Sequence, residues 1–141
     1  MSAYALRGES CHKPLKVKFF GSAVPSIPLA NDERLLDRKS LEKIARRLLA
    51  AKHIEIFGVA ASAVTAQYLE YKLARLGLRA HALSDAHLAT MMAETTDAST
   101  LHILVSSSGS TMDPVRGAKV AQGRGATVVS ITNRAKSPLV A

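Results

Sequence analysis

The sequence predicts an α/β fold, in which a parallel β-sheet is covered by helices on both faces. Short apolar segments of strand character alternate with helical segments from about residue 53 to residue 132. Turns that contain glycine separate several of these segments, and 48% of the 141 residues are hydrophobic, which suits one globular core. Alternating strands and helices form βαβ units, whose strands run parallel.

The first predicted helix covers residues 38–51, with Asp37 as its N-cap. Upstream of it, residues 1–32 are predicted to be irregular because prolines and glycines interrupt them, apart from a helical turn or two that starts at Pro14. The apolar face of the first helix is predicted to consist of Leu41, Ile44, Ala45, Leu48 and Leu49.

Four strands and three further helices are predicted after this helix. The strands are assigned to residues 53–59, 79–84, 101–106 and 126–132. The helices are assigned to residues 61–76, 86–93 and about 112–123. In the first of these three helices, the residues expected in register on one apolar face are Val64, Leu69, Leu73 and Leu76. Because the sequence stops soon after the fourth strand, we expect a last strand and its helices to be missing and an exposed sheet edge to remain there.

The composition argues against several classes of protein. Cys11 is the single cysteine, so no internal disulfide can form and no cysteine cluster suggests a structural metal. No segment approaches the ~20 apolar residues of a membrane span, and no signal peptide is evident. These observations favour a cytoplasmic protein with no membrane partner.

The net charge of +8 is concentrated near the start of the chain, where residues 1–53 carry eleven Lys/Arg against five Asp/Glu. A basic segment of this kind fits contact with nucleic acid, and it fits the solvated faces of one or two helices equally well. With three Phe, three Tyr and no Trp, a stacking platform for single-stranded nucleic acid is disfavoured.

Two predicted loops follow strands at the sheet edge where α/β proteins bind ligands. The first, "GVAAS" at residues 58–62, offers Gly58 for a tight turn and the Ser62 hydroxyl at the first turn of a helix. The second, "SSSGST" at residues 106–111, combines hydroxyls and a glycine at a helix start, which suits a phosphate without a lysine. Ordinary turn and capping chemistry also explains both loops. Neither a GxGxxG motif nor a P-loop lysine is present, so no nucleotide cofactor is expected.

Three segments carry a resemblance to a known family. "IFGVAASAVTAQYLEYKLARLGLRAHALSDAH", "LHILVSSSGST" and "RGATVVSITNRAKSPLV" resemble, in this order, the sugar isomerase (SIS) domain, a phosphosugar-binding α/β module. The combination of "AQYLEYKLARLGL" with "SDAH" is most similar to the effector domain of RpiR-type transcriptional regulators. The resemblance implies an SIS domain over residues 37–141 that is incomplete at its C-terminal end. Residues 1–36 then form a basic linker that resembles the tail of a helix-turn-helix domain.

The resemblance also implies partners and site residues. A sugar phosphate is the implied ligand, the intact regulator is implied to be a homodimer, and DNA is contacted only through a helix-turn-helix domain largely absent from this chain. Asp85 and His87 are candidate sugar contacts, and N-capping of the next helix is the competing explanation for Asp85. Ala60 stands where the family usually has glycine. The implied phosphosugar-binding residues are Gly58, Ser62, Ser106, Ser108, Gly109 and Thr111.

SIS domains occur in aldose–ketose isomerases and in sensors, and the sequence favours a sensor. Isomerisation needs a base that moves a proton between C1 and C2, and no carboxylate lies in either loop. His81 and His102 fall within strands, where we expect them to pack. We therefore predict a sensor that binds a sugar phosphate without turnover, with no catalytic residue, cofactor or metal, and a sugar phosphate isomerase as the alternative. The candidate bases for that alternative are His81, Asp85, His87, Glu70 and Glu94.

Overall fold

The computed structural model describes residues 15–18, 38–134 and 137–139. The strands are β1 (Leu15–Lys18), β2 (His53–Gly58), β3 (Ala80–Leu83), β4 (Thr100–Val105) and β5 (Thr127–Thr132). The helices are α1 (Arg38–Ala50), α2 (Ala61–Arg75), α3 (Ala86–Thr95) and α4 (Met112–Gly123). The predicted alternation of strands and helices from β2 to β5 is confirmed, with small shifts at the element ends. Asp37, the predicted N-cap of α1, lies outside the described residues.

All five strands are parallel and lie in the order β1-β5-β4-β2-β3. From β2 the chain crosses to β3 on one side, and it then returns to place β4 on the other side of β2. The direction of strand order therefore reverses between β2 and β4. Parallel α/β sheets bind ligands at such a switch point, beyond the carboxyl ends of the strands.

The strand β1 corrects two predictions. Leu15–Lys18 is a strand, so the helical turn predicted from Pro14 is wrong; the sequence Leu-Lys-Val-Lys has the two-residue period of a strand. β1 pairs with β5, with Leu15 opposite Val129. β5 is therefore an inner strand, and the exposed edge predicted beside it is not present. Among the described strands, β1 and β3 form the edges.

Helices cover both faces of the sheet, as predicted. One core layer joins α1 and α2 to the sheet through Ile44, Ala66, Leu73, Ile54, Ile56 and Ile103. The other joins α3 and α4 to it through Ala89, Ala93, Ala118, Ala121, Phe57, Leu104 and Val128. Several of the helix residues are alanines, which allow the helices to approach the sheet closely.

The apolar residues predicted on one face of α2 do not share a buried face. Leu73 is buried and Leu69 is half-buried, whereas Val64 is 66% and Leu76 is 74% exposed. Ala66 contacts the sheet instead, and at 100° per residue Val64 lies on nearly the opposite side of the helix from it. On α1, Leu49 and Ala45 are similarly exposed. Ala66 marks the buried face of α2, but hydrophobicity alone does not distinguish it from the other alanines of this helix.

Candidate functional site

A cleft with a volume of about 650 Å³ opens at the carboxyl ends of the central strands. The loops that follow β2, β4 and β5 form its walls, so the cleft lies at the switch point of the sheet. Its lining consists of Val59, Ala60, Ala61, Ser62, Ser107, Ser108, Thr111, Asn133 and Arg134.

The loop between β2 and α2 depends on a close backbone approach. A Cβ atom at Gly58 would lie 2.5 Å from the Ser62 carbonyl oxygen, so only glycine fits there without a shift. The Ser62 amide donates to the Val59 carbonyl at 3.1 Å, and Ala60 between them has φ 53° and ψ −124°. These angles are those of the first central position of a type II′ turn, which glycine adopts more easily than alanine. The turn brings the N-terminus of α2 and the Ser62 side chain to the cleft.

The loop between β4 and α4 contributes three hydroxyl residues to the cleft lining, Ser107, Ser108 and Thr111, and buries a fourth. Ser106 is only 2% exposed and lies beneath the loop. The Ser106 hydroxyl shares a hydrogen bond of 3.2 Å with the Thr111 hydroxyl and accepts one of 3.1 Å from the Gly109 amide. Gly109 has φ +62°, and a Cβ atom there would clash with the side chains of Ser137 and Thr132. Ser106 and Gly109 therefore set the shape of the loop.

The end of β5 holds this loop in place. The Asn133 backbone amide donates to the Ser107 carbonyl at 3.1 Å, and its side-chain amide donates to the Ser107 hydroxyl at 3.0 Å. The Thr132 hydroxyl also donates to the Ser107 carbonyl, at 3.3 Å. Farther along, the Leu139 amide donates to the Gly109 carbonyl at 3.0 Å. The β4–α4 loop is therefore fixed by the segment after β5 as well as by its own residues.

The electrostatics of the cleft favour an anion. Both α2 and α4 begin at the cleft, and neither N-cap residue, Ala60 or Thr111, makes a side-chain capping hydrogen bond. By contrast, the N-cap of α3 is satisfied, since Asp85 Oδ1 accepts from the Leu88 amide at 2.7 Å. Helix N-termini attract negative charge through their amides and dipoles. No acidic residue is among the described residues of the lining, and Arg134 adds a positive charge.

The residues proposed from the sequence divide into three groups. Ser62, Ser108 and Thr111 come together on the cleft lining. Gly58, Ser106 and Gly109 lie directly beneath or beside the lining. Asp85 and His87 follow β3 at the same edge of the sheet, but neither lines the cleft; Asp85 caps α3 and His87 is exposed.

Sequence reasoning missed three polar lining residues, Ser107, Asn133 and Arg134. Ser107 belongs to the loop that was predicted. Asn133 and Arg134 follow directly after a predicted parallel strand, and the carboxyl ends of parallel strands meet at one edge of a sheet. From this rule, both residues could have been predicted to lie at the cleft.

The buried ionisable residues of the described sheet, Glu55 and His102, lie well back from the cleft. Glu55 on β2 lies in register between His81 on β3 and His102 on β4. It is three residues before the end of β2 at Gly58, a distance of about 10 Å along a strand. Within the described part of the chain, no carboxylate or imidazole lines the cleft, and no group of three or more His, Cys, Asp or Glu is placed to hold a metal ion.

The two strand histidines differ in environment. His102 is buried, as expected, and its Nε2 shares a hydrogen bond of 3.0 Å with the Thr96 hydroxyl. Burial lowers the pKa of His102 to about 4. The expectation that His81 packs is wrong: it lies on an edge strand, and its side chain is 60% exposed, with Nδ1 3.7 Å from Glu55 Oε2. Burial raises the pKa of Glu55, and the nearby imidazoles of His81 and His53 act in the opposite direction.

Comparison with known proteins identifies relatives of the chain. The profile of the family described as "SIS domain" matches residues 47–141. An HTH-type transcriptional regulator of Haemophilus influenzae, otherwise uncharacterized, is 36% identical over 105 residues, which are 74% of this chain and 36% of that protein. The chain therefore spans about a third of the length of this curated relative. None of the helices in the described ranges is both long and apolar enough to cross a membrane.

Many solved structures share the fold, among them the following two. The NanR protein of Vibrio vulnificus, complexed with ManNAc-6P, is 42% identical with a TM-score of 0.76, over 79% of this chain and 42% of that one. The sugar isomerase domain of the RpiR transcription factor from Sphaerobacter thermophilus has a TM-score of 0.74 at 24% identity, over 79% of this chain and 63% of that one. At that identity the second likeness shows the fold alone.

Proposed function

The chain belongs to the SIS domain family, and from this membership we propose that it is the phosphosugar-sensing domain of an RpiR-type transcriptional regulator. The cleft at the switch point carries the proposal. It brings the hydroxyls of Ser62, Ser108 and Thr111 to the N-termini of α2 and α4, whose N-cap residues make no side-chain capping hydrogen bond. This arrangement suits a phosphate. The complex of the 42% identical NanR protein with ManNAc-6P supports a sugar phosphate as the ligand.

In this proposal the hydroxyls of Ser62, Ser108 and Thr111 donate to the phosphate. Ser106 orients the Thr111 hydroxyl, with which it shares a hydrogen bond. Gly58 and Gly109 keep the two loops close enough to converge on one ligand. The Gly109 amide donates a hydrogen bond to the Ser106 hydroxyl in this structure. It can donate to a phosphate only if that hydrogen bond is broken.

Asp85 and His87 remain proposed sugar contacts. Both residues follow β3 at the edge of the sheet where the cleft opens, and the His87 side chain is exposed. The Asp85 side chain accepts one hydrogen bond from its own helix through Oδ1.

We propose binding without turnover. An aldose–ketose isomerase needs a base within hydrogen-bond distance of the sugar carbons. The described lining of the cleft offers hydroxyls, an amide and a guanidinium instead. Glu55 and His102, the buried ionisable residues of the described sheet, lie well below the cleft.

The whole regulator is proposed to bind DNA through a helix-turn-helix domain, as a homodimer in the cytoplasm. The description of the Haemophilus relative as an HTH-type regulator supports this. Helix-turn-helix proteins commonly bind two half-sites as dimers, which supports the second copy. Residues 37–141 are the proposed sugar phosphate domain, and residues 1–36 the proposed segment toward the DNA-binding domain. The pairing of β1 with β5 means that part of the latter segment also joins the sheet.

The test measures binding and turnover together. The protein is incubated with ManNAc-6P, a panel of other hexose and hexosamine phosphates and the unphosphorylated sugars, while thermal unfolding and the NMR spectrum of the sugar are recorded. We expect a rise in melting temperature with a sugar phosphate only, and no change in the sugar. Ser108→Ala should weaken the effect, and Thr65→Ala, which changes an exposed hydroxyl on α2, should not.

Two results would contradict the proposal. A protein that none of the sugar phosphates stabilises is not a phosphosugar sensor. Conversion of an aldose phosphate to a ketose phosphate, in either direction, would establish the isomerase alternative.

A further inference from the structure

The lining of the cleft has an uneven distribution of charge. Its described residues comprise small apolar side chains, four hydroxyls, one amide and one guanidinium, and Arg134 is the sole member with a formal charge. A sugar phosphate carries about −1.5 to −2 at neutral pH. The hydroxyls and helix N-termini offer only partial positive charges. The formal charge of the ligand therefore has one fixed counter-charge in the described lining.

The backbone of Arg134 is held in a defined position relative to the β4–α4 loop. Its amide donates to the Thr132 hydroxyl at 3.2 Å, and that hydroxyl donates to the Ser107 carbonyl at 3.3 Å. The preceding residue, Asn133, makes two further hydrogen bonds to Ser107. Arg134 is thus tied to the same loop that presents Ser108 and Thr111. Arg134 lines the cleft on the side of β5, whereas α2 and α4 reach the cleft through their N-termini.

We infer that Arg134 binds the phosphate of the ligand and sets the preference of this cleft for phosphorylated over unphosphorylated sugars. The inference rests on the proposed function. A guanidinium presents its N–H groups in a planar fork that matches two phosphate oxygens, and the resulting hydrogen bonds are charge-assisted. The side chain is exposed, so salt screens its interaction with the phosphate. Binding should therefore weaken as ionic strength rises, and Arg134 should account for much of that dependence.

The experiment compares three variants of the full chain with the wild type. The affinity for ManNAc-6P is measured by calorimetry at two KCl concentrations, and inorganic phosphate is titrated as a competitor. Arg134→Gln should weaken ManNAc-6P binding about tenfold and flatten its salt dependence, because the charge-assisted hydrogen bonds are lost. Arg134→Lys keeps the positive charge but not the planar fork, so its affinity for ManNAc-6P should lie between those of the wild type and Arg134→Gln. Arg124→Gln is the matched control, since it removes an exposed arginine at the opposite end of α4, about 18 Å from the start of that helix.

The outcomes separate this inference from the proposed function. If Arg134→Gln bound ManNAc-6P as tightly as the wild type, the role of Arg134 would be overturned and the proposed function would stand. If Arg134→Gln bound ManNAc-6P more weakly than the wild type but inorganic phosphate competed equally well in both proteins, Arg134 would contact the sugar instead of the phosphate. That result would also overturn the inference. Wild-type protein that binds neither sugar phosphates nor inorganic phosphate would overturn both. Thermal unfolding of each variant without ligand checks that the fold is retained.

Discussion

His102 is a buried imidazole whose protonation opposes folding. It is 4% exposed, and burial lowers its pKa from 6.5 to about 4. In the unfolded chain the imidazole takes up a proton as the pH falls below 6.5, whereas in the folded chain it stays neutral until about pH 4. The unfolded state therefore binds more protons between these values, and the stability of the folded state decreases as the pH falls through this window.

We predict that His102→Gln removes much of this acid sensitivity. Over the full window the wild type should lose up to about 3 kcal/mol of unfolding free energy through His102, because each pKa unit corresponds to about 1.4 kcal/mol. Glutamine keeps a polar group that can reach the Thr96 hydroxyl but does not titrate. Urea unfolding of both proteins at pH 7 and pH 4.5 measures the difference.

Glu55 has the opposite effect on the pH dependence of stability, and it is present in both the wild type and His102→Gln. Because burial raises its pKa in the folded state, its contribution favours folding at low pH and is lost as the pH rises through the raised value. The difference between wild type and variant therefore isolates the imidazole. Equal losses of stability in the two proteins between pH 7 and pH 4.5 would contradict the assignment to His102.

The placement of individual side chains shows how far the sequence can define the site. Ser62 and Thr111 were identifiable because each adjoins the start of a helix that follows a strand. The burial of Ser106 was not predictable, because the sequence does not show which of three consecutive serines points into the protein. The exact end of β4 decides this. Arg134 was identifiable from its position directly after a predicted parallel strand, but the hydrogen bonds that tie its backbone to the β4–α4 loop join residues distant in sequence and were not predictable.

The junction of β2 and α2 is the element that positions Ser62. A Cβ atom at residue 58 would lie 2.5 Å from the carbonyl oxygen and 2.7 Å from the carbonyl carbon of Ser62. These are backbone atoms in the first turn of α2, so the clash can be relieved only by moving the start of the helix. The close packing of α2 against the sheet through Ala66 and Leu73 resists that movement.

We predict that Gly58→Ala destabilises the protein by about 1–3 kcal/mol, the usual cost of overpacking, and weakens sugar phosphate binding by displacing Ser62. Gly117→Ala is the control, because a Cβ atom there meets nothing within 4 Å in the middle of α4. It should leave binding unchanged and raise stability by up to about 1 kcal/mol, since alanine is the better helix former. Thermal unfolding with and without ManNAc-6P measures both effects, and a Gly58→Ala protein with unaltered binding would contradict this account of the turn.

The strand β1 illustrates an element that sequence reasoning could not place. Four residues that alternate between apolar and charged side chains carry little signal of their own. The pairing of β1 with β5 joins residues more than a hundred positions apart, and prolines nearby favour an irregular segment. The elements from β2 to β5 were predictable because each is long or apolar enough to show its own period, and because alternation restricts them to βαβ units.

The distribution of charge is a property of the whole molecule that the fold does not neutralise. The chain has a net charge of +8, and the exposed side chains of α1 include Lys39, Lys43, Arg46 and Arg47. Such a surface attracts the phosphate backbone of DNA without reading its sequence. By contrast, Arg134 is the one residue with a formal charge in the described lining of the cleft.

We therefore predict weak DNA binding by this chain that depends on salt and not on sequence. The dissociation constant should lie at about 10⁻⁴–10⁻⁶ M near physiological salt, and its logarithm should rise linearly with the logarithm of the KCl concentration. Fluorescence anisotropy with two duplexes of unrelated sequence and equal length measures both quantities, and a saturating sugar phosphate should change neither, because the basic face of α1 is separate from the cleft lining. Nanomolar binding to one duplex and not the other would contradict the prediction, since discrimination of that size requires direct contacts to base edges.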